Sequence, residues 1–582
     1  MGNEDSKARK NQIVIGVDFG SCGITFAYGF LDDPKKEINP GRFTEQGINN
    51  KVSTEIILSE DLSEVICFGN ECQTKLHSTD NRKFLHFKNV KMNLYKRKYK
   101  IKANNSNEEV DIEKIITIIL KEVKKKAMEQ IKYRLPKLKE KNIHWVITVP
   151  AIWDIKSKQI MINSAQNAGL IRKDDDPSNF FALEPEAASI YYHNSRHAIE
   201  NGDIDMGKPF ILCDLGSGTV DIVTQKKVQR DKETKFEELY PPVGGDYGCN
   251  KINEYIIDRV FKVLLGEELF NKAKDDICKN KNYNDWYIFE NNIETFKKCF
   301  TKEERLGQYY KIDCDVFSEY CKEDKIKELI NNFNEKYPAW KLIIVKGWKI
   351  NFPYQIINDL MSELMDDIIS KYIVPISESV NDIKTLIFTG GASSNPILFK
   401  MIKRIKTLKL NYVQSPNPEV AIAYGSVLYS YDHFIISPRK AKFTFGIKVS
   451  EEWDNRIHLN GGKKEYDEKN KIYKCINCFT KFITKNDNLR PDQEKSHKFI
   501  MNNSNVAIQL YKTEKENATF IDEKDEKGNL IIQKFGHFNI DVGEQYENNR
   551  EVEIKMKLGG TFISLSAIYK KTGHNFTCLY ED

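Results

Sequence analysis

The sequence predicts an α/β chain in which two related lobes precede an antiparallel β domain. Two stretches of the same form, IVIGVDFGSCGI (13–24) and FILCDLGSGTVDIV (210–223), each run an apolar strand into an aspartate and a glycine turn. Buried strands and helices alternate after each of them. From about residue 440, short alternating runs such as KFTFGIKV and VAIQLYK, separated by Asn, Asp and Gly, replace this pattern and predict antiparallel strands.

Length and composition limit the class of protein. A chain of 582 residues is too long for one hydrophobic core, so we expect about two to four compact units. The net charge of 89 − 84 = +5 gives no electrostatic support for nucleic-acid binding. No apolar run reaches the ~20 residues that span a bilayer, and no secretory segment is recognisable. Scattered cysteines, including Cys213 in a buried strand, indicate reduced thiols in a cytoplasmic protein.

The elements of the first part follow from local patterns in chain order. Residues 111–135 predict a long helix with one apolar face. HWVITVPAIW (144–153) predicts a buried strand closed by its proline, and the next helix, over 155–168, ends at Gly169. FALEPEAASIYY (181–192) starts another helix, with its proline in the first turn. Three further segments are a mainly helical region at 250–380, a strand, glycine turn and helix at 385–402, and a packed helix at 418–429.

The glycine turns carry the chemistry. A strand that ends in Asp-x-Gly places backbone N–H groups around a concave turn that holds phosphate oxygens, and glycine allows the close approach. Asp18 and Asp214 would repel a polyphosphate, so a bridging Mg²⁺ with its waters is implied. A single turn of this kind is also compatible with an ordinary hairpin. Two turns in matched contexts predict two lobes that close on one nucleotide, and FTGGASSNP (388–396) is a third turn suited to the nucleoside.

Cys475-x-x-Cys478 is a separate motif with two interpretations. It is half of a zinc site, which the distant Cys578 and His574 would have to complete. Two structural cysteines on a hairpin are the favoured interpretation.

Longer motifs give the chain a family resemblance. They occur in the order ITVPAIWDIKSKQIMINSAQNAGL, LEPEAASIYY, CDLGSGTVDI, PVGGDYGCNKINEYI, ENNIETFKKCF, FTGGASSNP and NPEVAIAYGS. Over 12–430 the chain thereby resembles the actin–hexokinase–chaperone ATPase superfamily and, more specifically, the heat shock protein 70 (DnaK-like) chaperones. KFTFGI and FKNVKMNLY resemble the divergent heat shock 70 kDa protein 12 branch of that family. The β runs after 440 resemble the family's peptide-binding β-sandwich.

The resemblance implies a domain organisation. It predicts an actin-like ATPase fold of two related lobes at 12–432, a linker at 433–440, and a β-sandwich substrate-binding-like domain without a helical lid at 441–582. Residues 1–11 are predicted to be a disordered tail. Its first residues also fit the loose N-myristoylation pattern at Gly2, but two acidic residues favour the plain tail.

The resemblance also assigns roles around Mg²⁺ and the nucleophile. Asp18 and Asp214 position Mg²⁺, through water, and the attacking water molecule. Glu184 holds the water shell of the ion, and Asp221 acts on the nucleophilic water. The Thr219 hydroxyl lies near the γ-phosphate.

The remaining assignments concern a catalytic lysine and the ATP contacts. Lys91 stabilises charge on the transferred phosphoryl group, with Lys88 as the rival candidate. The first phosphate loop is Gly20, Ser21, Cys22 and Gly23, and the second is Gly216, Ser217, Gly218 and Thr219. The nucleoside side is formed by Gly244, Gly245, Glu294, Lys297, Lys298, Gly390, Gly391 and Ser393.

Departures from the family pattern keep the alternatives open. The first loop has Cys22 where the family usually has a hydroxyl residue, and the second has Ser217 for a glycine. HFIISPRKA replaces the usual acidic and leucine-rich linker, which leaves coupling between the domains open.

Two functions remain in view. The first is an ATP-dependent chaperone that hydrolyses ATP slowly, binds extended apolar peptides and works with co-chaperones or nucleotide exchange factors. The alternative is a nucleotide-sensing interaction or signalling protein with weak or no ATPase. A metabolite kinase or a filament protein would leave the β domain unexplained.

Overall fold

The computed structural model describes residues 13–578 apart from 44–49, 78–83, 197, 199–203, 231–232, 281, 404–408, 434, 469, 491–492, 502, 542–549, 558–562 and 570–573. The predicted tail 1–11 and Gly2 lie outside the described residues. Two compact units divide the chain. One holds the chain up to Ile152, then Asn163–Val223 and Val243–Asp432, and the other holds Trp153–Ile162, Thr224–Pro242 and His433–Asp582.

The first sheet is built on the N-terminal hairpin. Continuous apolar runs bury both faces of its first two strands, and the glycine turn reverses the chain between them. The sheet has the order β11-β10-β1-β2-β3, β4 adds to β2, and two small sheets have the orders β6-β5-β7 and β8-β9. The strands are β1 (Ile13–Phe19), β2 (Gly23–Phe30), β3 (Asn39–Pro40), β4 (Lys51–Ser53), β5 (Glu55–Leu58), β6 (Val65–Phe68), β7 (Leu85–Lys88), β8 (Lys100–Lys102), β9 (Glu109–Asp111), β10 (Ile143–Val149) and β11 (Phe181–Leu183).

The second sheet repeats the strand order of the first. Its order is β14-β13-β12-β18-β19: a central strand has a hairpin partner on one side and two parallel neighbours on the other. β1 is flanked in the same way by β2 and by the parallel strands β10 and β11. These strands, with a further sheet of order β15-β17-β16, are β12 (Pro209–Leu215), β13 (Val220–Arg230), β14 (Glu233–Gly245), β15 (Tyr309–Asp313), β16 (Ile343–Lys346), β17 (Lys349–Pro353), β18 (Thr385–Thr389) and β19 (Asn411–Gln414).

The helices correspond closely to the apolar periodicity. The long helix predicted at 111–135 spans Ile112–Arg134, and Asp111 caps it by accepting a hydrogen bond from the Glu113 N–H. Gly169, two residues after the helix at Ile155–Asn167, has φ +70°. In the described part of the chain before residue 430, the α-helices are α1 (Glu71–His77), α2 (Val90–Tyr95), α3 (Ile112–Arg134), α4 (Ile155–Asn167), α5 (Glu184–Asn194), α6 (Asn250–Ile256), α7 (Lys262–Leu265), α8 (Glu267–Asn280), α9 (Tyr283–Cys299), α10 (Glu323–Lys336), α11 (Gln355–Ile368), α12 (Val374–Ser379), α13 (Pro396–Lys403) and α14 (Ala421–Tyr429).

Two details differ from the sequence-based expectations. The region 250–380 is mainly helical but also contains the antiparallel sheet β15-β17-β16. The stretch FALEPEAASIYY begins with a short strand, β11, before its helix starts at Glu184. Among the described residues, no helix has both the length and the apolar character needed to cross a bilayer.

The second unit consists mainly of antiparallel sheets. One has the order β22-β23-β21-β26-β27 and another β25-β28-β29-β30, and side chains from both, such as Phe445 and Ile554, share one apolar core. The segment 224–242 belongs to this unit, where Phe236 N–H donates to the carbonyl of Ile435 at 2.8 Å. The elements are β20 (Arg439–Lys440), β21 (Thr444–Glu452), α15 (Asn455–His458), β22 (Lys464–Asp467), β23 (Ile472–Ile483), β24 (Asn488–Leu489), β25 (Glu494–Met501), β26 (Asn505–Thr513), β27 (Ile532–Asp541), β28 (Arg550–Lys557), β29 (Ser564–Tyr569) and β30 (His574–Cys578).

Candidate functional site

Two buried aspartates occupy equivalent positions in the two similar sheets. Asp18 is the penultimate residue of β1, and Asp214 is the penultimate residue of β12. Each central strand then enters a glycine turn and returns as the antiparallel strand β2 or the neighbouring strand β13. The side chains of Asp18 and Asp214 are 7% and 4% exposed. Equivalent strand ends thus supply two carboxylates to one buried place.

Lys91 lies among these carboxylates. It is on α2, and its Nζ forms a buried ion pair with the Glu184 carboxylate at the start of α5. Burial alone would lower the pKa of Lys91, but the charges of Glu184 and Asp18 outweigh it and raise that pKa, so the ammonium is retained. The rival Lys88 pairs instead with Glu290 on α9. The structure therefore brings Lys91, and not Lys88, to the aspartates.

Asp221 completes the buried group. Its Oδ1 accepts a hydrogen bond from the Ala151 N–H at 3.0 Å, and its Oδ2 accepts one from the Thr219 hydroxyl at 3.0 Å. The Thr219 hydroxyl, predicted to face a γ-phosphate, thus donates to Asp221 here. Burial raises the pKa of Asp221, although Lys91 partly offsets the effect.

The excess of buried carboxylates over cations in this group favours binding of a positively charged ion. Burial, with the neighbouring charges of Asp221 and Asp18, raises the pKa of Asp214 to about 8, and burial also raises the pKa of Asp18. The Oδ1 atom of Asp214 is buried without a hydrogen-bond partner. A cluster of buried carboxylate oxygens with an unsatisfied acceptor suits a hard divalent cation such as Mg²⁺, which would restore the charged forms.

The two phosphate turns face each other. A Cβ added at Gly218 would lie 2.4 Å from Ser21 Oγ and 2.3 Å from Met92 Sδ, so the second turn packs directly on the first. The Cys22 thiol lies 3.4 Å from Asn89 Oδ1, and its sulfur accepts a hydrogen bond from Asn250 Nδ2 at 3.0 Å. The unusual cysteine therefore contacts the N-cap residue of α2 and the first residue of α6.

The predicted nucleoside residues lie in two places. Glu294 accepts from Asn253 Nδ2 at 2.6 Å and pairs with Lys297 and Lys298 at 2.7 and 3.3 Å. Gly390, at φ +84°, lies against Asp214, because a Cβ there would be 2.3 Å from Asp214 Oδ1.

The other glycines on this side are closely packed. A Cβ at Gly244 would lie 2.0 Å from the Val220 carbonyl, and one at Gly245 would lie 2.4 Å from the Tyr372 hydroxyl. Ser393 is buried and its hydroxyl donates to the Gly390 carbonyl at 2.8 Å.

A cavity of about 1010 Å³ opens in front of the turns. Its volume matches that of sites for drug-sized ligands and cofactors. The predicted residues that line it are Ser21, Cys22, Ser217, Gly218, Glu294, Lys297, Lys298 and Gly391. Within the described chain, the six catalytic candidates do not line the cavity; each is buried, and the two glycine turns that follow Asp18 and Asp214 form part of the lining. Lys51 also lines it, a residue that sequence reasoning did not single out because β4 carries no motif.

The Cys475 and Cys478 thiols gain an unpredicted neighbour. His458 on α15 is buried beside them, and one ligand-type atom of each residue lies within 4.8 Å of the others. His458 Nδ1, however, accepts a hydrogen bond from the Asp454 N–H at 2.9 Å, which leaves the ring proton on Nε2, 3.7 Å from Cys478 Sγ. A zinc-binding Nε2 would need that position free. These contacts favour structural cysteines, and the side chains of Cys578 and His574 lie outside the described residues.

Comparisons with known proteins agree over nearly the whole chain. Human heat shock 70 kDa protein 12A is 22% identical over 98% of this chain and 91% of its own length. Its mouse counterpart is 22% identical over 96% and 89%, and human heat shock 70 kDa protein 12B is 21% identical over 97% and 90%. No protein-family model matches the sequence. The mixed α/β architecture fits an actin-like ATPase type of fold. The chain is thus a distant relative of the heat shock 70 kDa protein 12 branch of the heat shock protein 70 family.

Proposed function

We propose that this protein binds ATP with Mg²⁺ between two related lobes, hydrolyses it slowly, and acts as a chaperone of the heat shock protein 70 type. One observation carries the proposal: Asp18 and Asp214, from equivalent strand ends of two sheets with the same order, converge with the Lys91–Glu184 pair. A single phosphate-binding turn would not require a second turn of the same form opposite it. Two matched turns that face each other suit a polyphosphate bound from both sides.

The buried carboxylates fit Mg²⁺, and the neighbouring side chains indicate what each group would do in ATP hydrolysis. Asp18 and Asp214 would hold the ion through its waters, because both carboxylates are buried and Oδ1 of Asp214 has no hydrogen-bond partner. The ion supplies charge neutralisation for the phosphates. Lys91 supplies a fixed positive charge from the protein, and Asp221, oriented by the Ala151 N–H and the Thr219 hydroxyl, is a carboxylate able to accept a proton from water.

The second unit offers an edge for extended peptides. β22 is the outermost strand of its sheet, and an edge strand leaves main-chain N–H and C=O groups to pair with an added strand. The side chains of Tyr466 on β22 and Tyr473 on β23 are 41% and 52% exposed, and their rings lie 5.0 Å apart. We infer that an extended apolar peptide segment adds to this edge. Co-chaperones and nucleotide exchange factors are partners of the same proposal.

A nucleotide-sensing protein with little turnover is the second candidate. The second turn packs on Ser21 and Met92, and the buried carboxylates do not line the cavity. We infer that a γ-phosphate reaches Lys91 only when the turns part. Cys22 also supplies a weaker hydrogen-bond donor than the family's usual hydroxyl. Both features slow hydrolysis more than they weaken binding.

Single-turnover ATP hydrolysis with Mg²⁺ tests the proposal. The chain is compared with Asp214→Asn, with and without an extended apolar peptide. Turnover that the peptide accelerates and the substitution abolishes supports the chaperone. Tight ATP binding with negligible turnover that the peptide does not change favours the sensor. Absence of ATP binding overturns both.

A further inference from the structure

Lys51 shares a row of the first sheet with Asp18. In the strand registers, Lys51 of β4 lies opposite Thr25 of β2, and Thr25 lies opposite Asp18 of β1. Residues opposite one another across a sheet point to the same face. Lys51 is therefore on the face that carries Asp18, two strands away and nearer the cavity, which it lines.

The stem of Lys51 lies flat on the first phosphate turn. A Cβ at Gly23 would be 2.3 Å from Lys51 Cε, and its next two neighbours would also be atoms of that side chain, at 2.9 and 3.0 Å. The Nζ atom lies 3.4 Å from the point where a Cβ on Gly391 would stand. The side chain thus runs along the phosphate turn, and its ammonium group ends beside the nucleoside turn.

The Lys51 ammonium group has no ion-pair or hydrogen-bond partner among the described residues. Among the described lysines that line the cavity, Lys88, Lys96, Lys297 and Lys298 form ion pairs with carboxylates. The Lys274 ammonium group lies 5.5 Å from the centre of the Trp286 ring. No ion pair and no side-chain hydrogen bond within the described chain involves Lys51. Its charge is close enough to both aspartates to lower their pKa, in opposition to burial. An unpaired cation between two glycine turns matches an anionic ligand.

We propose that Lys51 is a phosphate ligand of this site, binding oxygens of a nucleoside di- or triphosphate from the cavity side. The inference rests on the proposed function, since it needs a nucleotide in the cavity. Lys51 and Lys91 would then hold the phosphates from opposite sides of the turns, which compensates for the weak donor Cys22. Neither the sequence motifs nor the family pattern marked Lys51.

Binding of ATP, ADP and adenosine to the full chain, measured by calorimetry with Mg²⁺, tests the inference. Loss of one charge-assisted hydrogen bond predicts that Lys51→Met weakens ATP and ADP binding by about ten- to a hundredfold. Adenosine binding stays unchanged because it has no phosphate. Lys51→Arg retains most of the affinity, and Lys100→Met, at an exposed lysine of β8, is the matched control.

Gly23→Ala tests the role of the Lys51 ammonium group without changing Lys51 itself. The φ angle of Gly23 is not in the left-handed region, and the nearest obstacles to a new Cβ are flexible atoms of Lys51. We expect Gly23→Ala to weaken ATP binding by displacing Lys51, and the double variant to bind no more weakly than Lys51→Met. Unchanged ATP affinity in Lys51→Met would refute the role of Lys51 alone. A parent chain that binds no ATP would refute the proposed function as well, so the two failures are distinguishable.

Discussion

The Nδ1 atom of His86 lies 2.7 Å from the hydroxyl oxygen of Tyr283, although 197 residues separate the two in the chain. Glu55 lies on the other side of the His86 ring, with its Oε2 3.5 Å from His86 Nε2. The same Oε2 accepts a hydrogen bond from the Tyr287 hydroxyl at 3.0 Å. Burial lowers the pKa of His86, which keeps the ring neutral, and the ring in turn helps to hold the pKa of Glu55 at about 2 against its own burial. Strands β5 and β7 are thereby fastened to helix α9 at the edge of the cavity, which Glu55 and Tyr287 line.

Tyr283→Phe tests this fastening. It removes the hydroxyl and leaves a buried imidazole nitrogen without its partner, which costs about 1–3 kcal/mol of unfolding free energy. A bound fluorescent nucleotide should also dissociate faster, because the contact joins two sides of the cavity. Chemical denaturation and stopped-flow fluorescence measure the two effects. Tyr133→Phe, at a tyrosine that is 89% exposed, should change neither. Equal stability of the two variants would show that the contact contributes nothing.

Lys91→Met should separate binding from turnover. The substitution removes the cation among the carboxylates and leaves Glu184 buried without its partner, so we expect a loss of about 3 kcal/mol of stability. The single-turnover rate should fall by about a hundredfold or more. Adding Glu184→Gln should restore stability without restoring the rate. Lys88→Met should reduce the chemical step far less, and the reverse order of effects would reassign the catalytic lysine.

Asp214 should make the nucleotide-free chain less stable at high pH. Its folded pKa of about 8 lies above the ordinary value of 3.8, so folding favours the protonated form. The resulting stability is fully present below about pH 4 and is lost as the pH rises through about 8. We expect the Tm to fall between about pH 4 and pH 8 and to level off above that, and Asp214→Asn to make the fall shallower. Asp324→Asn, at a fully exposed side chain, is the control. An identical slope in both variants would contradict the prediction.

Gly390→Ala should disrupt the third glycine turn. The new Cβ would lie 2.3 Å from Asp214 Oδ1 and 2.5 Å from the Leu215 carbonyl, and the residue has φ +84°. Gly307 has the same φ with nothing within 4 Å, so Gly307→Ala measures the backbone strain alone, about 1–2 kcal/mol. The excess destabilisation of Gly390→Ala, and its loss of ATP affinity in calorimetry, report the contact with Asp214. Equal effects of both substitutions would mean that the turn shifts to make room for the new Cβ, so that the contact with Asp214 contributes nothing.

Much of the site could be predicted because its signals are local. A buried strand followed by Asp-x-Gly is readable within a dozen residues, and so is the apolar face of the helix Ile112–Arg134. The choice of Lys91 over Lys88 also agrees with its placement beside Glu184.

The missed features depend on contacts distant in sequence. The sheet β15-β17-β16 was missed because its strands have only four or five residues each, too few for a clear periodic signal. His458 meets Cys478 only because α15 packs on β23, and no local spacing indicates this. Lys51 lies in a three-residue strand whose register, not its composition, sets its position. The membership of 224–242 in the second unit follows from pairing with residues near 436.

One of the two register shifts between β21 and β23 has a consequence for how β23 tolerates a deletion. Cys478 pairs with Val449 and Cys475 with Glu451, so two residues of β23 face one of β21 in between. The bulge changes which face of the sheet the following side chains point to. Cys475 and Cys478, three residues apart, are therefore buried on the same face. Deleting Ile476 would return the strand to a single phase and turn one thiol outward, although no side chain in the cluster had been altered. The burial of this cluster is therefore encoded in the count of residues as much as in their identity.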